Sequence, residues 1–224
     1  MVILERNDSE SSRAYASRVL LYNIVNIKLP PGTAISENEI ASSLKLSRTP
    51  VREALIDLSK NSLIDIIPHK GSFISKINCR NIEEVRFVRL ALESAVLKLA
   101  CVDIPPEYII RLHGNLAEQR QNAENNNYIN LLPLDNAFHR LLFEAVDKKW
   151  TYNIVSSQMV HFDRLRVLTW SSLKNDRTIN DHENILAAIE SHDKALAETL
   201  IINHLARHNL NRNELITLYP DYFE

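Results

Sequence analysis

Leu46-Ser47-Arg48-Thr49-Pro50-Val51-Arg52-Glu53-Ala54-Leu55 reads as the opening of a helix. Ser47 or Thr49 supplies the cap, and Pro50 falls in the first turn, where its missing N–H is harmless. Val51, Ala54, Leu55 and Leu58 follow at helical spacing and define one apolar face. Upstream, Ser36 and Glu39 have the spacing of a capping box, so a shorter helix runs from there to about Leu44. Residues 45–47 make a polar turn between the two. An earlier helix spans 11–28, with Tyr15, Val19, Tyr22 and Val25 in register, and Pro30-Pro31-Gly32 ends it. Downstream, two β-branched runs at 63–67 and 72–77 flank Pro68-His69-Lys70-Gly71, the pattern of a hairpin. Three helices and a hairpin make a winged helix-turn-helix, whose third helix enters the major groove of DNA N-terminus first.

That geometry assigns roles. Arg48 and Arg52 are four residues apart and share a helix face. Each guanidinium can donate two parallel bonds to guanine O6 and N7. Thr49 and the free amides of the helix start suit a phosphate oxygen, and Ser47 belongs to the same stretch facing the base edges. The hairpin tip, His69-Lys70-Gly71, can reach the adjacent minor groove, with charge from Lys70 and close backbone approach at Gly71. The competing reading of the arginine pair is a solvated helix face, with Glu53 beside it.

Composition narrows the classes. In 224 residues there are 45% hydrophobic and 24% charged side chains, which is ordinary for a folded domain or two. No apolar run approaches the ~20 residues of a membrane span. The start, MVILERNDSE, turns polar too soon for a secretory signal. A cytoplasmic protein with no membrane partner is the expectation. Three glycines, Gly32, Gly71 and Gly114, exclude a dinucleotide or Walker-type loop. Cys79 and Cys101 are too few for a disulfide framework. The charge splits: 10 Lys/Arg against 8 Asp/Glu over residues 1–77, net +2, and 16 against 20 afterwards, net −4. Two modules with different partners fit that split.

The expected organisation is a mobile arm at 1–10, a DNA-binding module at 11–77 and an all-helical module at 78–224. Helices are expected at about 81–101, 105–125, 127–147, 150–173, 177–191 and 193–217, punctuated by Pro105/Pro106, the asparagines at 125–127 and a turn at 174–176. In the second module Asp135 and His139 lie four apart and aim at one point. His182 and His204 come later, and together these four suit a divalent transition metal such as zinc or nickel. By spacing alone an i,i+4 ion pair explains Asp135/His139 as well. His204/His208 is a competing pair, and His161 is a further candidate.

The stretch from Tyr15 to Ile77 resembles the DNA-binding domain of the GntR family of bacterial transcription regulators. The matching residues are Pro31-Gly32, Ser36-Glu37, Glu39-Ile40-Ala41, the block from Leu46 to Leu55, and Gly71-Ser72-Phe73-Ile74. The resemblance implies operator contacts at Arg48, Thr49 and Arg52, a wing glycine at Gly71, and a place for Glu37 in the same reading set. Asn38 departs from the arginine many relatives carry, and Asn61-Ser62 from their acidic-glycine pair. From Ile82 onward the chain resembles the helical ligand-binding domain of the FadR-type branch. The matches are Val88-Arg89-Leu90-Ala91-Leu92-Glu93, the run from Asp135 to Leu142, the run from His182 to Ile189, and His204-Leu205. The resemblance implies a metal held by Asp135, His139, His182 and His204, and Arg89 facing a small carboxylate effector. Arg89 has an alternative in a surface ion pair with Glu93. Arg164 and Arg166 are further anion contacts left open.

The expectation is a mainly α protein: a winged helix-turn-helix followed by an antiparallel helical bundle. Functionally it is a homodimeric, ligand-responsive regulator, a repressor in sign, on palindromic double-stranded DNA. Two rivals stand beside it. One is a regulator whose metal is only a structural staple. The other is a metal-dependent hydrolase, although no HExxH-type motif supplies a base.

Overall fold

The computed structural model describes residues 1–173 and 177–224, and the side chains of all of these but 208–211. The expected turn at 174–176 and the side chain of His208 lie outside them. The chain divides into two compact units, Met1–Cys79 with Leu218–Glu224, and Arg80–Thr217.

In the first unit, α1 (Ser12–Val25) starts at Ser11, whose hydroxyl accepts from the Ala14 N–H. α2 (Glu37–Leu44) starts at Ser36, which accepts from the Glu39 N–H, half of the capping box. It stops at Lys45, whose left-handed φ of 54° ends the helix. α3 (Arg48–Lys60) follows after two residues, with Ser47 as its cap. Val51, Ala54, Leu55 and Leu58 are buried, packing on Val19, Leu20 and Ile24 of α1 and on Ile40 and Leu44 of α2. The hairpin of β2 (Ile64–Ile67) and β3 (Gly71–Ile74) is joined by an unforeseen third strand, β1 (Ala34–Ile35). The order is β1-β3-β2, all antiparallel, with Ile35 opposite Ser72 and Ile64 opposite Ile74. The hairpin turns through two left-handed positions, His69 at φ 61° and Gly71 at φ 110°, and the second needs glycine.

Two expectations for this unit change. Residues 1–10 are not a loose arm. Asn23 is fully buried on α1, and its amide pairs with both backbone groups of Val2, at 2.6 and 2.8 Å. Tyr15 and Arg18 hold the carbonyls of Leu4 and Glu5. A polar leading segment reads as solvated, but a buried amide must find partners, and this segment supplies them. Asn23→Ala is therefore expected to cost ~0.5–1.5 kcal/mol for each hydrogen bond that holds Val2. Limited proteolysis should then release the first ten residues, and an unchanged digestion pattern would refute the anchoring. The second change is at the other terminus, where 218–224 group with the first unit rather than with the helices they follow.

The second unit holds α4 (Cys79–Ala100), α5 (Pro106–Glu124), a 3-10 turn (Tyr128–Asn130), α6 (Leu131–Ala145), α7 (Lys149–Ser157), α8 (Val160–Leu173), α9 (Arg177–Glu190) and α10 (Lys194–Leu218). The segment expected as one helix over 150–173 is two. Ser156 and Ser157 turn their hydroxyls back onto the carbonyls of Asn153 and Ile154, competing with the helix ladder, and the chain breaks at Gln158-Met159. Leu97, Leu112, Phe138, Leu142, Ile185, Ile189, Ile201 and Leu205 fill the core from α4, α5, α6, α9 and α10. Among the described residues no helix is long and apolar enough to cross a membrane.

Candidate functional site

The first candidate surface is the start of α3. Ser47, Arg48, Thr49 and Arg52 are all exposed, because the opposite face of α3 is spent on the core. Ser47 makes no side-chain capping bond to the helix. Glu37 of α2 sits between the two arginines, 3.6 Å from Arg48 Nη2 and 3.9 Å from Arg52 Nε. These three line an open cleft of about 400 Å³ together with Ser36, Asn38, Gly71 and Ser72. Gly71 of the hairpin and the two arginines of α3 thus border one groove. His69 and Lys70 stand exposed at the hairpin tip.

The second candidate lies inside the helical unit. His139 on α6, His182 on α9 and His204 on α10 are buried, and one nitrogen of each lies within 4.8 Å of those of the other two. Local sequence explains the placement. Each histidine occupies the buried stripe of its helix, next to Phe138, beside Ile185 and Leu186, or one residue before Leu205. The Phe138 ring stacks on His182 at 4.2 Å between centroids.

The partners of these rings fix which nitrogen is available. Asn115 Oδ1 accepts from Gln119 Nε2, which turns the Gln119 oxygen toward His182 Nδ1, 3.0 Å away. An oxygen there can only accept, so Nδ1 carries the proton and Nε2 keeps its lone pair. That Nε2 has no hydrogen-bond partner and lies 3.7 Å from Asp135 Oδ1. His139 places Nδ1 2.9 Å from Glu93 Oε2 and leaves Nε2 unpartnered, 3.8 Å from Asp135 Oδ2. His204 Nδ1 is 3.5 Å from Asp181 Oδ2. Burial holds His182 well below the usual histidine value despite the Asp135 carboxylate, and burial lowers His139 too, against the pull of Glu93. His139 and His182, held toward the neutral form and each with Nε2 unpartnered, lie beside an Asp135 oxygen that has no donor, and the buried His204 adjoins them. The donor set fits a transition metal.

Asp135 stands differently from the three imidazoles. It faces two of them, but its Oδ2 also accepts from Arg166, which in turn holds Asp163 and Asn136. Burial opposes its ionisation, yet the Arg166 guanidinium holds it well below the carboxylate range.

Arg89 is not on the surface. It pairs with Glu93 at 2.7 Å as the spacing suggested, but both are buried, and its Nη1 and Nη2 have no partner. Glu93 bridges Arg89 to His139, so the unpartnered guanidinium nitrogens adjoin the imidazole cluster. Arg89 and Arg166 both lie over the Phe162 ring, at 5.0 and 5.6 Å. Arg164 is buried as well. Sequence reading missed Gln119 and Asp181 entirely and gave Glu93 only as an ion-pair partner. Their signal is three-dimensional, since Gln119 is 63 residues from the histidine it orients. His161 is buried but outside the cluster.

Each of the two units matches a known family model. Residues 16–74 match the model of the bacterial regulatory proteins of the gntR family, and residues 84–207 match the FCD domain. The HTH-type transcriptional repressor RspR of Escherichia coli is 31% identical over 189 residues, covering 84% of this chain and 83% of that protein. The Nta operon transcriptional regulator of Aminobacter aminovorans is 26% identical over 185 residues, 82% of this chain and 86% of that one. Among solved structures, a GntR transcriptional regulator from a Rhodococcus species superposes with a TM-score of 0.76 at 18% identity, over 91% of this chain and 99% of that one. Escherichia coli McbR/YncC gives 0.72 at 18% identity, over 95% and 99%.

Proposed function

The chain belongs to the GntR family of bacterial transcription regulators, with an FCD domain after its DNA-binding domain, and from that we propose that it is a metal-assisted repressor released by a small organic acid. It is a DNA-binding regulator, not an enzyme, so the hydrolase reading falls away. Ser47, Arg48, Thr49 and Arg52, with Glu37 between the arginines and His69, Lys70 and Gly71 on the wing, form the DNA-reading surface. The protein works in the cytoplasm as a homodimer on palindromic operators, whose half-sites lie about one helical turn apart. An exposed apolar row on α4, Val88, Ala91, Ala95 and Leu99, suits subunit pairing. The sign of regulation follows RspR, which is named a repressor.

In the helical domain His139, His182 and His204, with Asp135, would hold the metal, zinc or nickel. When bound, it supplies a Lewis-acidic centre for an effector oxygen. The observation that carries the sensing role is Arg89. Two buried guanidinium nitrogens without partners are costly unless something arrives to pair them. A carboxylate accepts both at once. Glu93 orients Arg89 and His139 together, so a bound anion biases the elements that carry them. Such a bias moves a regulator only through different affinity for its two states.

A thermal-shift screen against small organic acids, repeated after chelation, tests this. A ligand at a hundred times its Kd adds ~2.7 kcal/mol, a shift of several degrees for a domain of this size. A stabilising acid whose effect vanishes with the chelator supports the reading. A large drop on chelation with no response to any acid favours the structural staple instead.

A further inference from the structure

The last helix does not end where the helical unit ends. α10 leaves that unit at Thr217, and residues from Leu218 to Glu224 belong to the DNA-reading unit. They dock on the chain just beyond the wing. Phe223 forms a parallel bridge with Ile77. The Ile77 N–H donates to the Tyr222 carbonyl at 2.7 Å, and the Glu224 N–H donates to the Ile77 carbonyl at 3.2 Å. Asn78 Nδ2 donates to Glu224 Oε1 at 2.8 Å. Ile77 is fully buried and Phe223 nearly so. Tyr219 and Tyr222 stack at 5.1 Å.

The place of this bridge matters. Ile77 lies three residues after wing strand β3, and α4 begins two residues later at Cys79. The chain passes between the units twice, at 79/80 and at 217/218. Both crossings are fastened by this same set of hydrogen bonds. Within the helical unit, Arg212 of α10 bonds Glu83 of α4 at 3.1 Å, so the two connecting helices are also tied to each other close to where they leave. Farther along them, α10 carries His204 and α4 carries Arg89 and Glu93. The two elements that enter the DNA-reading unit are therefore elements that line the imidazole cluster.

We propose that Phe223 is a positioning residue for DNA reading. The strap 219–224 fixes the strand leading out of the wing to α10, so that the state of the helical unit sets how the wing and α3 are held. Coupling between two sites needs an element that both of them bias, and this strap is continuous from one to the other. The proposal takes its signal, a metal, from the preceding reading, while the strap itself stands on the bridge at Ile77.

The test uses the full chain, zinc alone as the probe, and hydrogen exchange at the Gly32 and Ile74 amides of the wing sheet, which bond to Ile74 and Thr33. In the unaltered protein zinc is expected to slow exchange there about tenfold, a coupling of ordinary size. Phe223→Ala should keep its zinc and lose that response, while Phe223→Leu should retain most of it. A purely structural Phe223 would lower stability but leave the response to zinc in place, which overturns the proposal. So does zinc that protects α6, α9 and α10 while Gly32 and Ile74 stay unchanged with the strap intact. If the protein retains no zinc, the functional reading fails, and the strap is judged by a second perturbation. Leu205→Ala, in the core of α10, should speed exchange at Gly32 and Ile74 with Phe223 present and not in Phe223→Ala. Equal effects in the two backgrounds overturn it.

Discussion

Replacing His182 with alanine is expected to leave the purified protein with less than a tenth of the metal held by the unaltered chain. It should also lower Tm as far as chelation does. His182 is fully buried, with Nδ1 committed to Gln119 and Phe138 stacked on one ring face, so its Nε2 has one place to point. Losing one of few ligands removes most of the affinity, because the remaining imidazoles cannot be repositioned in a packed core. A metal at a thousand times its Kd contributes ~4 kcal/mol. At ~2–4 °C per kcal/mol that is about 10 °C. His161→Ala is the control: that imidazole is also buried, so its removal costs packing, but it stands outside the cluster. Metal content by elemental analysis separates the two. Full occupancy in His182→Ala would remove it from the ligand set, whatever its Tm.

The difference between what the chain announces and what only the fold reveals follows the range of the interactions. α3 is legible because its cap, its proline and its apolar spacing all lie within one short stretch, and each acts locally. The same holds for Ser36 ahead of α2. β1 is two residues long and has no periodicity of its own; it exists because Ala34 and Ile35 find an edge of β3. The pinned first segment and the docked last one are both long-range, 21 residues from Val2 to Asn23 and 146 from Asn78 to Glu224. No local pattern encodes such a pairing. In the helical unit, Asp135 and His139 share a face by spacing, but nothing in the spacing joins them to His182 or His204. That grouping came from resemblance to a family, and the structure brings the three imidazoles together. The groups around them were not legible. A glutamine that orients a histidine, or an arginine that neutralises a buried aspartate, looks in sequence like any surface polar residue. Arg89 is the instructive case, since its partner Glu93 was readable at i,i+4 and its burial was not.

At the other surface, a chain with Arg48 and Arg52 both changed to alanine is expected to lose its preference for operator over scrambled duplex while still binding DNA. Both guanidiniums are exposed, so their removal should not disturb the core that Val51, Ala54, Leu55 and Leu58 make. Alanine also favours the helix. Each bidentate contact to guanine is worth ~1–3 kcal/mol of discrimination, so the pair amounts to ~2–6 kcal/mol in each subunit of the dimer, enough to erase most specificity ratios. What remains is electrostatic attraction to phosphates through Lys70 and the amides at the start of α3, which carries no sequence information. Lys70→Ala is the opposite case. It should weaken binding to both duplexes equally and reduce the salt slope by about two units, one for each copy of Lys70 in the dimer. Lysine at both arginine positions would keep the charge but not the paired donors, so it should restore affinity and leave the preference lost. Titrations of operator and scrambled duplex at several salt concentrations decide it. A double variant that still discriminates as the original does would move base reading away from α3, to Asn38 or the wing.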